Sequence, residues 1–142
     1  MVLFAKDVVE PDFLSLPRDI SVLDAAKIMR DRSQGYVVVS VDGVPEGIVT
    51  EWDYLSKVVA EGIDPAKVKL GQIMTVGLIT VQAGDGLDSV AKVMAEKSVR
   101  RVIVVKDGKV LGVITSRTIL ARLEDYVNSV SNTIARLQMP PF

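Results

Sequence analysis

The sequence predicts an α+β protein of two pseudo-symmetric βαββα repeats packed sheet to sheet, with an extended C-terminal helix. Three observations predict it. Sliding the chain against itself by 65 residues lays Asp7–Leu55 on Gln72–Leu120 without a gap. Asp-Gly steps separate β-branched runs at equivalent places in both copies, Asp42-Gly43 and Asp107-Gly108. Apolar residues from Leu120 to Leu137 recur at a helical spacing that continues past the end of the repeat.

The duplication rests on identities and on matched apolar positions. Ala26-Lys27 and Met29 fall on Ala91-Lys92 and Met94, Ser33 on Ser98, Gly47 on Gly112, Thr50 on Thr115 and Leu55 on Leu120. Val37-Val38-Val39 lies on Val102-Ile103-Val104. Each copy opens with a short strand, Phe13–Leu16 and then Leu78–Val81. A helix follows: Ser21 can cap one through about Arg32, with Val22, Ala25, Ala26, Ile28 and Met29 on one side. Asp85 is the matching cap candidate before Leu87, Val90, Ala91, Val93 and Met94. The hairpins are Tyr36–Val41 with Gly47–Thr50, and Val102–Val105 with Val110–Thr115, because a glycine after Asp accepts positive φ without a Cβ clash. A second helix runs from Glu51 to Glu61 with Gly62 as its stop, and from Ser116 onward in the second copy. Gly62–Leu70 reads as a linker, giving segments 1–70, 71–122 and a C-terminal helix and tail at 123–142. One unit of about 50 residues leaves too much sheet exposed to stand alone, so two copies face to face, with a cleft between them, solve the burial problem.

Composition narrows the function. The 142 residues are 49% hydrophobic and 25% charged, too apolar for disorder, and only 5% aromatic, so the core is aliphatic. A formal charge of −1 argues against a protein that works by neutralising nucleic-acid phosphates. The absence of both histidine and cysteine removes thiolate and imidazole metal sites, disulfides and any Ser-His or Cys-His nucleophile pair. Met1–Lys6 shows neither the basic region nor the cleavage site of a signal peptide, and no apolar run approaches the roughly 18 residues of a membrane span. A cytoplasmic protein is the expectation. Two Asn and four Gln, without Cys, suit a heat-adapted source.

The residues with chemistry sit where the last strand of each repeat meets a helix. Thr50-Glu51-Trp52-Asp53 is a capping-box pattern, in which Thr50 bonds free backbone N–H groups and Asp53 sits in the positive end of the helix dipole. The same junction offers a hydroxyl and a carboxylate to a ligand, and a carboxylate can accept both hydroxyls of a ribose. The two roles are compatible. The second copy reads Thr115-Ser116-Arg117-Thr118: the hydroxyl is kept, the carboxylate is replaced, and Arg117 stands in the place of Trp52. Capping alone gives no reason for that split, whereas ligand sites that have specialised do. Charge divides likewise, with a net of +4 over Arg100–Arg117 and of −4 over Asp42–Glu61, as an anionic phosphate tail and a neutral ribose would want. Arg101 and Arg117 are assigned to ligand, Lys106 and Lys109 to solvated hairpin, and Trp52 to packing.

The repeat, its Asp-Gly hairpin and the closing Gly47-Ile48-Val49-Thr50-x-x-Asp53 resemble the cystathionine β-synthase (CBS) domain, and two in tandem look like a Bateman module. Gly71–Thr75 and Val99–Val102 are also similar to that family's opening helix and middle strand. The resemblance implies a non-catalytic module that binds AMP, ADP, ATP or another adenosyl ligand and passes the signal to a partner protein. Carried over by residue, Thr50 and Asp53 would hold phosphate and ribose, and Thr115 and Arg117 phosphate. Gly35, Tyr36 and Val37, with Arg100, Arg101 and Val102, would line the ligand. Thr118 departs from the pattern and leaves the second motif without its ribose acceptor.

Three rivals stand beside that reading. An enzyme would have to use Asp53 with Lys27 and Lys92, yet those lysines match in both copies on a helix interior. A nucleic-acid binder would use Arg100, Arg101 and Arg117, without interleaved aromatics for base stacking. An assembly module would leave the cleft empty. A homodimer or larger assembly is expected, because Leu120, Leu123, Val127, Val130, Ile134 and Leu137 are spaced 3, 4, 3, 4, 3, and the sister repeat offers no equivalent segment to cover them. A helix folded back over its own module is the competing arrangement, and Pro140-Pro141 would end the helix in either.

Overall fold

Every strand and every α-helix start of the first repeat recurs 65 residues later. The computed structural model describes residues 3–138. In chain order they form α1 (Ala5–Val8), β1 (Ser15–Pro17), α2 (Val22–Asp31), β2 (Tyr36–Val41), β3 (Val44–Thr50) and α3 (Glu51–Tyr54). A π-helical turn at Leu55–Val59 and a 3-10 turn at Pro65–Lys67 follow. The second series is α4 (Leu70–Ile73), β4 (Thr75–Val76), β5 (Thr80–Gln82), α5 (Leu87–Lys97), β6 (Arg101–Lys106), β7 (Lys109–Thr115) and α6 (Ser116–Leu137). The opening strands lie one to two residues later than the sequence predicts.

Local chemistry explains these elements. Ser21 Oγ accepts the Asp24 N–H at 3.0 Å and starts α2 as expected. Asp85 does not do the same for α5: the N-cap is Gly86, and the Asp85 carboxylate accepts from Gln82 N at 2.8 Å in the preceding turn. The alignment places Gly86, not Asp85, opposite Ser21, so the cap expectation was one residue early. Both first helices end on a serine in the left-handed region, Ser33 and Ser98, each with φ of 53°. Both hairpins turn through paired positive φ, 50° and 78° at Asp42-Gly43 and 51° and 74° at Asp107-Gly108, which gives the twist that closes a two-residue loop. Each hairpin also carries a register shift at the same place, after Val39 and after Val104. The helix expected over Glu51–Glu61 is α-helical only to Tyr54, then widens into the π turn, where Ala60 N donates to Leu55 O; Gly62, at φ +65°, stops it.

The chain divides into compact units that differ from the 1–70 and 71–122 segmentation. One unit is residues 12–79, with sheet order β1-β2-β3-β4. The other joins residues 3–11 to 80–138, with sheet order β5-β6-β7. Each repeat thus gives its opening segment to the unit formed by the other. Within residues 12–79, Leu70 and Ile73 of α4 complete a core of Leu14, Val22, Ala25, Met29, Val37, Val39, Val49 and Val58. Thr75 pairs with Ile48, and Glu10 pairs with Val113 at the equivalent point of the other unit. Gly47 and Gly112 exist for this contact. A Cβ on Gly47 would lie 2.8 Å from the Thr75 carbonyl oxygen, and one on Gly112 would fall onto the Glu10 carbonyl. The C-terminal helix, α6, runs unbroken from Ser116 to Leu137, across the 122/123 boundary, and Pro140-Pro141 lies outside the described residues.

Candidate functional site

Each unit presents one strand-to-helix junction. In residues 12–79, Thr50 ends β3 directly opposite Tyr36, the first residue of β2, and Glu51 N donates to Gly35 O at 3.1 Å. This register brings Gly35, Tyr36, Thr50 and Asp53 to one end of the sheet. In the other unit Thr115 ends β7 opposite Arg101, and Ser116 N donates to Arg100 O at 2.9 Å. Arg100, Arg101, Thr115 and Arg117 gather there in the same way. Arg100 and Arg117 are exposed and Arg101 is half-buried. Val37 and Val102 are fully buried, so their side chains belong to the interior of each sheet.

Asp53 is the one buried charged residue among those described, 6% exposed. Its Oδ2 accepts from Thr50 N at 2.8 Å and from Thr50 Oγ1 at 3.3 Å. Its Oδ1 faces Lys57 Nζ at 2.9 Å, and that ammonium also donates to Ile73 O at 2.8 Å. Sequence reasoning missed Lys57, although Asp and Lys four apart on a helix are neighbours. In the second copy Thr118 Oγ1 accepts from Thr115 N at 3.0 Å and donates to Thr115 O at 2.8 Å, while Thr115 Oγ1 accepts from Thr118 N at 3.1 Å. Capping therefore does account for Thr118, contrary to expectation: a hydroxyl completes the box.

Two further groups define the surroundings. The Tyr54 hydroxyl donates to Val22 O at 2.8 Å, pinning α3 to the start of α2, and burial pushes its pKa up to about 12. An open groove of about 420 Å³ runs between α2 and α3, lined by Met29, Arg30, Gln34, Gly35, Glu51 and Tyr54. It reaches Gly35, but Thr50 and Asp53 do not line it. The lysines of the enzyme alternative are committed within their own helices, Lys27 to Asp24 and Lys92 to Glu96, both at 3.9 Å. Trp52 is 68% exposed, so it does not pack inside this chain as expected.

The sequence profile of the CBS domain matches residues 5–60 and again residues 70–125. The chain is a tandem CBS-domain protein. Its two CBS repeats account for the pairing of junctions described above. An uncharacterized protein of Methanopyrus kandleri is 34% identical over 112 residues, covering 78% of this chain and 57% of that protein. A homoserine O-acetyltransferase of Methanohalobium evestigatum is 29% identical over 125 residues, which are 87% of this chain but 24% of the enzyme. The crystal structure of a hexameric CBS-CP12 protein from bloom-forming cyanobacteria superposes with a TM-score of 0.77 at 31% identity, over 84% of this chain and 67% of that one. The chain spans less than two thirds of the length of the first curated relatives it matches. CBS pairs are regulatory modules, and no helix among the described residues is long and apolar enough to cross a membrane.

Proposed function

We propose that this CBS pair is a non-catalytic sensor that binds an adenine nucleotide and relays its occupancy to a partner protein. The Asp53 junction takes the ribose, with the Thr50 hydroxyl on phosphate. In the other unit, the Arg101, Thr115 and Arg117 group is a separate junction suited to phosphate. The observation that carries this reading is the comparison of the two caps. Thr118 closes its box with a hydroxyl, so a buried carboxylate at Asp53 exceeds what capping requires. A carboxylate has about four acceptor positions, and three contacts to Thr50 and Lys57 leave it able to accept from a ribose hydroxyl.

Calorimetry on the full chain with adenosine, AMP, ADP, ATP and S-adenosylmethionine tests the proposal. Asp53→Asn keeps an acceptor for the Thr50 N–H while removing the charge. It should weaken the nucleotide by 10-fold or more, since a hydrogen bond to a charged group contributes about 1.5–3 kcal/mol. Affinity within twofold of the parent would overturn the ribose assignment. Arg117→Ala should weaken ATP and ADP more than adenosine, and equal losses would return Arg117 to a packing role. ATP left with the protein should be recovered unchanged; turnover would reinstate the enzyme alternative.

A further inference from the structure

The contacts of Asp53 run beyond its own cap. Oδ2 accepts from Thr50, while Oδ1 meets the Lys57 ammonium at 2.9 Å. The same ammonium donates to the carbonyl of Ile73, the last residue of α4, at 2.8 Å. An ammonium has three rotatable donors, so one lysine can hold a carboxylate and a carbonyl together. A buried carboxylate that loses its cation keeps its desolvation cost without the attraction that offsets it. Lys57 therefore secures both the charge of Asp53 and its orientation.

The second repeat shows that this bridge is not part of capping. Thr118 closes its box with a hydroxyl and no carboxylate. Arg122 stands at the position equivalent to Lys57, and Val8 at that of Ile73. Yet Arg122 forms no ion pair among the described residues. A junction folds without the bridge, and only the junction with a carboxylate has it. Lys57 also sits at the centre of the π turn Leu55–Val59, and turns widened by one residue are frequent at functional sites.

The far end of the bridge is the segment by which the chain leaves this unit. Backbone bonds hold the start of α4, Leu70 N to Ile20 O at 2.9 Å and Gly71 N to Arg18 O at 3.0 Å. Lys57 holds its other end, just before Thr75 pairs with Ile48. Four residues after Val76 the chain enters the other unit at Thr80.

We propose that Lys57 is a positioning residue that couples ribose binding at Asp53 to the docking of α4. The coupling rests on the ribose assignment made above. Lys57, fixed by Ile73, holds Asp53 in the form that accepts ribose hydroxyls. By linkage, a ribose that secures Asp53 secures α4 to the same extent. Occupation of the junction thereby tightens the stretch of chain that leads to the second unit.

Hydrogen exchange on the full chain tests this at the Leu70, Gly71 and Met74 amides, free and saturated with AMP or with 2′,3′-dideoxyadenosine monophosphate, which lacks both hydroxyls. AMP should slow these amides at least about 5-fold more than the dideoxy nucleotide does, the lower end of ordinary coupling between sites. Amides of the β2–β3 hairpin should respond alike to both. In Lys57→Met, which keeps the apolar stem, that difference should vanish at saturation, and the preference for AMP over the dideoxy nucleotide should shrink by a similar factor. Aminoethylation of Lys57→Cys in this cysteine-free chain puts the ammonium back, and both effects should return with it. A parent that binds the two nucleotides equally overturns the ribose assignment, and the coupling with it. A parent that prefers AMP but protects α4 equally with both overturns the coupling alone. So does a Lys57→Met variant that keeps the AMP-specific protection, or an aminoethylated variant that stays uncoupled.

Discussion

Thr118 and Asp53 close the same kind of cap with different chemistry, and the difference separates what a residue does for the fold from what it is free to do besides. Asp53 is tied to Lys57, and through it to the Ile73 carbonyl, so the junction is fastened to α4 as well as to its own helix. Tyr54 makes the next fastening, and its titration is measurable. Its folded pKa of about 12 lies above the ordinary value of 10. The stabilisation from keeping the hydroxyl protonated is complete below pH 10 and lost as pH rises from 10 through 12. Tyr54→Phe should therefore cost about 1 kcal/mol at pH 9, for the hydrogen bond to the Val22 carbonyl, and the gap in urea midpoint from the parent should narrow by pH 12. A gap that stays constant would mean the hydroxyl is not the donor. The Thr50–Asp53 cap was legible in the sequence because its pattern is local. Lys57 and Tyr54 were not, since their roles depend on neighbours that only folding supplies.

Among the elements, the last strand of each repeat is the most constrained. β3 and β7 each pair with a hairpin partner on one side and receive the other repeat's opening segment on the other side. Gly112 marks the crossing. In Gly112→Ala the new methyl would meet the Glu10 backbone, which can move away only by breaking the mutual Glu10–Val113 hydrogen bonds of 2.9 and 3.0 Å. Overpacking of this kind costs about 1–3 kcal/mol, and exchange of the Glu10 and Val113 amides should accelerate beyond that of the hairpin amides. Uniform acceleration would show that the segment is not the weak point. The Asp-Gly turns and the β-α-β-β-α order of elements along the chain could be read from sequence because the signals are local. The π turn after Tyr54 could not, since nothing in Leu55–Val59 distinguishes it from an ordinary helix.

At the scale of the whole molecule, the repeat boundary and the structural boundary are different things. Periodicity gives the first, because it registers which residues correspond; it is silent on which residues touch. A fragment of residues 12–79 holds α4, β4 and a full core, and should unfold cooperatively in urea. Residues 1–70 end before Ile73 and Thr75 and carry an opening segment that belongs elsewhere, and should show no cooperative transition. Equal behaviour of the two fragments would mean the opening segments contribute little. The exchange also bears on how such a chain depends on concentration. A single repeat could complete its last strand only by trading opening segments with another molecule, and its folded state would dilute away. Joined by the short stretch after Gly62, which is itself bonded to the start of α2 through Val22 N and Val68 O, the two copies make that trade within one chain, with no second molecule needed. Dilution then no longer unfolds it.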